Sequence, residues 1–239
     1  MTYVDGFVAA VPAANKDAYT RLAADAAPLF HEFGVARVVE SWGDDVPDGK
    51  VTDFKGAVQA QGDEVVVFSW FEYPSRDVRD AAQQKMINDP RMQKMGANMP
   101  FDGKRLIFGG FASVVDESSG QRGNYLDGYL VPVPEGKREA YFEMARKAAP
   151  VFMEYGATRV VEAWADDVPD GEVTDFRRAV KATGDEKVVF SWVEWPDKKT
   201  RDAGWKKLME DPRMQPGEGG MPFDGKRLIY GGFVPILDE

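Results

Sequence analysis

The chain has no cysteine and a single histidine, His31. The absence of thiols excludes disulfides, thiolate metal sites, iron–sulfur clusters and cysteine nucleophiles. His31 lies beside the apolar stripe of a predicted helix and not on it, which indicates a surface position. A lone surface histidine supplies no base for a serine nucleophile and no ligand set for zinc or haem. We therefore expect neither a metal site nor a cofactor.

Long apolar runs are also missing. No segment approaches the roughly 18 consecutive apolar residues that a membrane-spanning helix needs. The chain does not open with the charged and then apolar pattern of a signal sequence. These absences predict a cytoplasmic protein without a membrane partner.

Positive charge is scarce. The 30 Lys and Arg residues stand against 40 Asp and Glu residues, which gives a formal net charge of −10. Affinity for nucleic acid comes largely from basic side chains that neutralise phosphates. The charge balance therefore predicts that neither DNA nor RNA is a partner.

What the chain does contain is an internal repeat. Residues 1–117 and 123–239 align without a gap, and about 65 of the 117 pairs are identical. A repeat of this length indicates a duplicated domain, because solenoid repeats run to about 20–50 residues. We predict a first unit (1–117), a linker (118–122) and a second unit (123–239), each unit being of ordinary domain size.

Each unit shows the order strand–helix–strand–strand–helix–strand. In the first unit the predicted strands cover residues 3–11, 36–42, 64–72 and 104–111, and the predicted helices begin after Asn15, Ser75 and Asp89. This is the order of a ferredoxin-like βαββαβ unit, an α+β fold with both helices on one face of an antiparallel sheet. The other face must be covered, and the short linker holds the second copy nearby. We therefore predict a covalent pseudo-dimeric α/β barrel, with further oligomerisation left open.

Two segments resemble a known family. They are ESWGDDVPDGKVTDF at residues 40–54 and MPFDGKR at residues 99–105. Both are similar to hallmark segments of the YbaA-like small bacterial proteins, a domain of unknown function in the dimeric α/β-barrel superfamily. The resemblance covers each copy nearly end to end and implies that the two sheets form one barrel. It implies no reaction, cofactor or catalytic residue, and the tandem form departs from the family's single units.

Strand alternation separates two sets of side chains in each unit. We assign the aliphatic set to the helices and predict that a mixed aromatic and charged set faces the barrel interior or its rim. In the first unit the mixed set is Tyr3, Asp5, Glu40, Trp42, Trp70, Glu72 and Arg105. In the second unit it is Tyr125, Asp127, Glu162, Trp164, Trp192, Glu194 and Arg227. Large apolar walls with a few polar groups are typical of a ligand site.

The mixed sets lead to a functional hypothesis, in which the barrel lumen binds a small organic molecule. Asp5 and Glu40, with their twins, are candidates for metal-free acid–base chemistry, because a carboxyl group in an apolar lumen has a raised pKa. Arg105 and Arg227 would stabilise negative charge, and the other members would bind the ligand. Two alternatives stay open. Either Trp42 and Trp70 only fill the sheet interface and the acids pair with Arg105 at its edge, or the chain is a non-enzymatic structural or protein-interaction module.

The segments 43–63 and 165–185 are long and polar. The run from Asp44 to Asp48 lacks the alternating aspartates and final glutamate of a calcium loop, so it favours a tight turn. Asp53 is predicted to cap a local helical turn. Loops of this length are often functional, which leaves open that they act as lids over the lumen.

Overall fold

A computed structural model describes residues 2–215 and 219–239. The first unit comprises β1 (Tyr3–Pro12), α1 (Lys16–Phe33), β2 (Arg37–Asp45), α2 (Phe54–Ala57), β3 (Glu64–Tyr73), α3 (Arg76–Asn88), α4 (Pro90–Gly96) and β4 (Ile107–Ser118). The second unit comprises β5 (Tyr125–Pro134), α5 (Arg138–Glu154), β6 (Arg159–Asp167), α6 (Phe176–Ala179), β7 (Glu186–Trp195), α7 (Lys198–Glu210) and β8 (Ile229–Asp238).

The eight strands form one closed antiparallel barrel in the order β1-β3-β2-β8-β5-β7-β6-β4. Within each unit the pairing is that of a ferredoxin-like sheet. The units join where β2 pairs with β8 and where β4 pairs with β6. Closure leaves no sheet edge exposed. The predicted fold class, a pseudo-dimeric α/β barrel of two βαββαβ units, is confirmed.

The helix ends follow the capping rules. Ser75 accepts a hydrogen bond from the backbone N–H of Val78, and Asp89 accepts one from that of Arg91. Asn15 was expected to cap α1, but its side chain instead donates to the carbonyl of Pro100 at 2.7 Å. That bond ties the start of α1 to the segment before β4.

The last strand of the first unit differs from its prediction. It begins at Ile107 and not at residue 104, because Gly103–Arg105 form a 3₁₀ turn in which Asp102 accepts from the backbone of Lys104. It continues to Ser118, where β6 pairs with its second half. Sequence alternation within one unit contains no signal for this ladder, because its partner strand lies in the other unit.

The barrel lumen is a filled core. Trp70 stacks on Trp192 with ring centroids 4.4 Å apart, and Phe68 stacks on Phe190 at 4.5 Å. A Cβ atom on Gly6 would lie only 2.7 Å from the Phe190 ring, so glycine is needed for this close approach. The prediction of a ligand in the lumen is therefore wrong, because aromatic rings from both units occupy that space.

The long loops close one end of this barrel. Their short helices insert Phe54 and Phe176, both fully buried, into the aromatic core. Asp53 caps α2 by accepting from the backbone N–H of Gly56 at 2.6 Å, as predicted. The hydroxyl of Thr174 donates to the carbonyl of Ala57 at 2.6 Å and thereby links the two loops. The loops are structural plugs at the barrel end.

Four charged residues close the opposite end. Arg37 donates to both carboxylate oxygens of Glu194 at 2.8 and 3.0 Å, and Arg159 donates to both oxygens of Glu72 at 2.7 and 2.9 Å. Burial alone would raise the pKa of Glu72, but hydrogen bonds from Arg159 hold it below its usual value. Each bidentate pair joins the two units.

The described ranges, 2–215 and 219–239, contain neither a membrane-spanning helix nor a cluster of metal ligands. None of their helices is long and apolar enough to cross a membrane. None of their His, Asp and Glu side chains form a group of three or more that could hold a metal ion.

Candidate functional site

The structure divides the predicted mixed set between two faces of the sheet. Trp70 and Glu72 point into the barrel, as predicted for β3. Tyr3, Asp5, Glu40 and Trp42 lie on the opposite face, beneath the helices, so their predicted orientation is wrong. For the two acids the physical reason is hydrogen bonding, because Tyr19 of α1 donates to Glu40 and Arg79 of α3 donates to Asp5.

A cavity of about 470 Å³ lies between the sheet and the helices of the first unit. Its floor is the outer face of β1, β2 and β3, and its roof consists of α1, α3 and α4. The walls are mostly apolar. The lining includes Phe7, Tyr19, Leu22, Ala26, Phe30, Glu40, Ser69, Phe71, Gln83, Met86, Met92, Met99 and Phe101.

Glu40 is the polar group at the floor of this cavity. It lies directly opposite Ser69 in the β2–β3 ladder, which explains why the Ser69 hydroxyl donates to Glu40 Oε2. The Tyr19 hydroxyl donates to the same oxygen at 2.6 Å. Among the described residues, no side chain donates to Oε1 and no Lys or Arg forms an ion pair with Glu40. Burial raises the pKa of this carboxyl group, while the hydrogen bonds from Ser69 and Tyr19 oppose the rise.

Asp5, the other predicted acid–base residue, is in a different environment. Arg79 of α3 donates to Asp5 Oδ1 at 2.8 Å, and both side chains are almost completely buried. Arg79 also donates to Asp167 of the second unit at 2.5 Å. Burial raises the pKa of Asp5, opposed by the charge of Arg79. Asp5 therefore lines the same cavity as Glu40 but is held in a buried ion pair, whose cation is Arg79 and not Arg105 as the ion-pair alternative expected.

The remaining candidates of the first unit lie outside the cavity. Arg105 makes a bidentate pair with Glu64 at 2.7 Å and is not brought together with Asp5 or Glu40. Tyr3 donates to Asp166 of the second unit at 3.0 Å. Trp42 packs in the same apolar cluster as Tyr19, and the Lys16 ammonium group lies 5.3 Å from the centroid of its ring.

The candidates of the second unit repeat this division. Trp192 and Glu194 are in the barrel and at its end, whereas Tyr125, Asp127, Glu162 and Trp164 lie beneath the helices. Arg227 pairs with Glu186 and so repeats the position of Arg105. Glu162 accepts from the Tyr141 hydroxyl at 2.8 Å, and burial raises the pKa of Glu162 to about 7.

Sequence reasoning missed the mouth of the cavity. Ile87 and Phe108, which line it, are 64% and 46% exposed, although both are large apolar residues. Met92 and Met99, two flexible side chains, also line the cavity. The sequence contained one signal for the cavity, which is the pair of small residues Ala23 and Ala26 on α1. Both line the cavity and leave space above the sheet.

The fold and the candidate site together define the structural class of this protein. The chain is a dimeric α/β barrel whose two units are covalently joined, with a sheet–helix interface in each unit in addition to the shared core. It belongs to the family described as "Protein of unknown function (DUF1428)", which matches residues 2–103 and, in a second copy, residues 124–225.

Two relatives are the uncharacterized protein YbaA of Escherichia coli K12 and its counterpart in Shigella flexneri. Each is 68% identical over 117 residues, which cover 49% of this chain and 100% of the relative. The predicted resemblance to the YbaA-like family is confirmed, and one unit of this chain corresponds to a whole relative.

Three solved structures share the fold at low sequence identity. A "putative monooxygenase" from Fusobacterium nucleatum aligns with a TM-score of 0.57 at 10% identity and covers 100% of this chain and 94% of its own. A "putative monooxygenase" from Lactobacillus acidophilus gives 0.56 at 12% identity, with 100% and 96% covered. An anthrone oxidase-like protein gives 0.51 at 10% identity, with 100% and 92% covered. These likenesses show the fold alone.

Proposed function

We propose that the first unit binds a small aromatic molecule in the cavity between its sheet and its helices, with Glu40 as the group that recognises a hydroxyl or amine on the ligand. The observation that carries this proposal is a buried carboxyl group, without a cationic partner among the described residues, at the floor of a mostly apolar cavity. The proposed site replaces the lumen as the location of binding.

The size and composition of the cavity support a ring-shaped ligand. A volume of about 470 Å³ falls within the range of small-molecule pockets. Phe7, Phe30, Phe71 and Phe101 offer ring faces and edges for stacking, and the methionines adapt to irregular shapes. The names of the two fold neighbours called "putative monooxygenase" fit a small-molecule site of this kind.

The hydrogen bonds of Glu40 favour one oxygen as the recognition atom. Ser69 and Tyr19 both donate to Oε2, which leaves Oε1 available to a donor on the ligand. Burial raises the pKa of the Glu40 carboxyl group, which suits it to give up and take back a proton as a general acid and base. In the chemistry we propose, Glu40 takes a proton from one atom of the bound molecule and returns it to another, so no co-reactant is consumed.

A cycle of two probes and two variants tests binding. 2-Naphthol carries a hydroxyl group, and naphthalene has the same rings without it. We expect Glu40→Gln to weaken 2-naphthol binding about tenfold, because the ligand hydroxyl loses its hydrogen bond to the carboxyl group, and to leave naphthalene binding unchanged. Isothermal titration calorimetry on the full chain measures both affinities.

Glu162→Gln is the matched control, since it changes the equivalent carboxyl group of the second unit. It should leave both affinities as in the wild type. Equal weakening by the two substitutions would contradict a site at Glu40. If neither probe binds and native mass spectrometry of gently purified protein shows a bare chain, the interaction-module alternative is favoured.

A further inference from the structure

We infer that each chain binds one ligand and not two, because Trp205 fills in the second unit the space that is the cavity in the first. The inference rests on the proposed function and makes positions 83 and 205 the residues that decide whether a unit can bind. Gln83 lines the cavity from α3, and Trp205 is its counterpart on α7.

The packing beneath the helices differs between the units. In the first unit the buried apolar residues of this interface form two separate clusters, one around Phe71 and one around Trp42, and residues of both border the cavity. In the described part of the second unit they form one continuous cluster, which includes Trp164 and Trp195, and the partly buried ring of Trp205 packs against it. The two clusters that border the cavity of the first unit thus have a single joined counterpart among the described residues of the second.

Trp205 is held in place by specific contacts. Its ring lies 5.7 Å from that of Phe152, the counterpart of the cavity-lining Phe30, in an edge-to-face arrangement. Its indole N–H donates to Asp127 Oδ2 at 2.8 Å. Asp127, the counterpart of Asp5, thus accepts from Trp205 as well as from Arg201. These contacts at both ends of the indole indicate a fixed packing position and not a mobile gate.

A second pair of substitutions accompanies Trp205. Tyr73, which lines the cavity, is replaced by Trp195, and Ala82 on α3 is replaced by Gly204 on α7. A Cβ atom on Gly204 would lie 2.7 Å from the Trp195 ring, so the larger indole requires the glycine. The larger ring and the smaller helix residue compensate for each other, as expected for a stably packed interface.

The second unit nevertheless keeps the carboxyl group of the site. Glu162 retains its tyrosine donor, Tyr141, at 2.8 Å. What it lacks is apolar space beside the carboxyl group. Because the second unit keeps the carboxyl group, restoring the space beside it should restore binding, and this makes the inference testable.

The experiment is to count bound 2-naphthol per full-length chain by native mass spectrometry and calorimetry. We expect one molecule for the wild type. Gln83→Trp, which places in the first unit the residue found in the second, should reduce the count to zero or weaken binding more than tenfold. Trp205→Gln should raise the count to two, and Trp205→Phe, which keeps most of the filling ring, should leave it at one.

The outcomes separate this inference from the proposed function. Two molecules bound to the wild type would overturn the inference and leave the site at Glu40 standing. One molecule whose affinity Gln83→Trp does not change would place the ligand elsewhere and overturn the proposed function. A count of one for folded Trp205→Gln would overturn the assignment of Trp205 as the filling residue. If Trp205→Gln does not fold, the wild-type count and Gln83→Trp decide.

Discussion

At the scale of single residues, the two glutamates beneath the helices show how a side chain's surroundings determine its chemistry. Glu40 and Glu162 occupy equivalent strand positions, and each accepts from an equivalent tyrosine. Burial raises both pKa values, and that of Glu162 reaches about 7. A carboxyl group that stays protonated to neutral pH in the folded chain links folding stability to pH.

Glu162 therefore predicts a specific pH dependence. Between its ordinary value of 4.5 and about 7, the folded chain holds a proton that the unfolded chain has released. The stabilising contribution is complete below pH 4.5 and is lost as the pH rises through about 7, by up to about 3 kcal/mol. Glu162→Gln removes this loss, so the free energy of unfolding of the wild type should fall relative to that of the variant between pH 5 and pH 8. Urea unfolding at both pH values measures it, and parallel pH profiles would contradict the raised pKa.

At the scale of elements, α3 connects the cavity to the other unit. Arg79 joins Asp5 beneath the helix to Asp167 at the end of β6, and Arg76 pairs with Asp166. The equivalent contact of the second unit joins Lys198 of α7 to Asp44 of the first unit. The acidic run was interpreted as a tight turn, yet its first aspartate serves as an ion-pair partner between the units.

Two substitutions on α3 compare a buried with an exposed cation. Arg79→Met leaves Asp5 buried without its partner and should lower the free energy of unfolding at pH 7 by about 3–5 kcal/mol. Arg76→Met removes a half-exposed pair and should cost less than about 1 kcal/mol. Chemical denaturation of both variants tests this difference. Equal costs would show that the Asp5–Arg79 pair is not the anchor of the helix.

The elements also show what sequence alone could predict. The internal repeat and the order of strands and helices led to the correct fold, because alternation and capping are local signals. The direction of Glu40 and Trp42 was wrong, because both faces of a strand are buried here and alternation then cannot identify which face lies inside the barrel. The cavity was missed because it depends on the distance between the helices and the sheet, which is determined by packing between residues far apart in the sequence.

At the scale of the whole molecule, the two units complete one another. The β2–β8 and β4–β6 ladders close the barrel, and Trp70 of the first unit stacks on Trp192 of the second. Each unit alone would expose an aromatic sheet face and two sheet edges. Obligate interfaces of this kind are as apolar as a domain core.

Separately expressed halves test this dependence. Residues 1–117 and 123–239, when mixed, should form a one-to-one complex whose near-ultraviolet circular dichroism matches that of the intact chain, because stacked tryptophans are restored. Each half alone should form a homodimer or aggregate, since its sheet face is apolar. Two stable monomers that ignore each other would contradict the shared core. Analytical ultracentrifugation distinguishes these cases.

The strand order has one more consequence. The order is unchanged when every strand of the first unit is exchanged for its counterpart in the second. The two units therefore occupy equivalent positions in the barrel. The same exchange relates the connection from β4 to β5, which contains most of residues 118–122, to the gap between the end of β8 and the start of β1. A chain with the units joined in the opposite order, through a copy of the same five residues, would therefore build the same barrel. The order of the two units therefore does not affect the barrel, whereas the difference between positions 83 and 205 affects the packing beneath the helices.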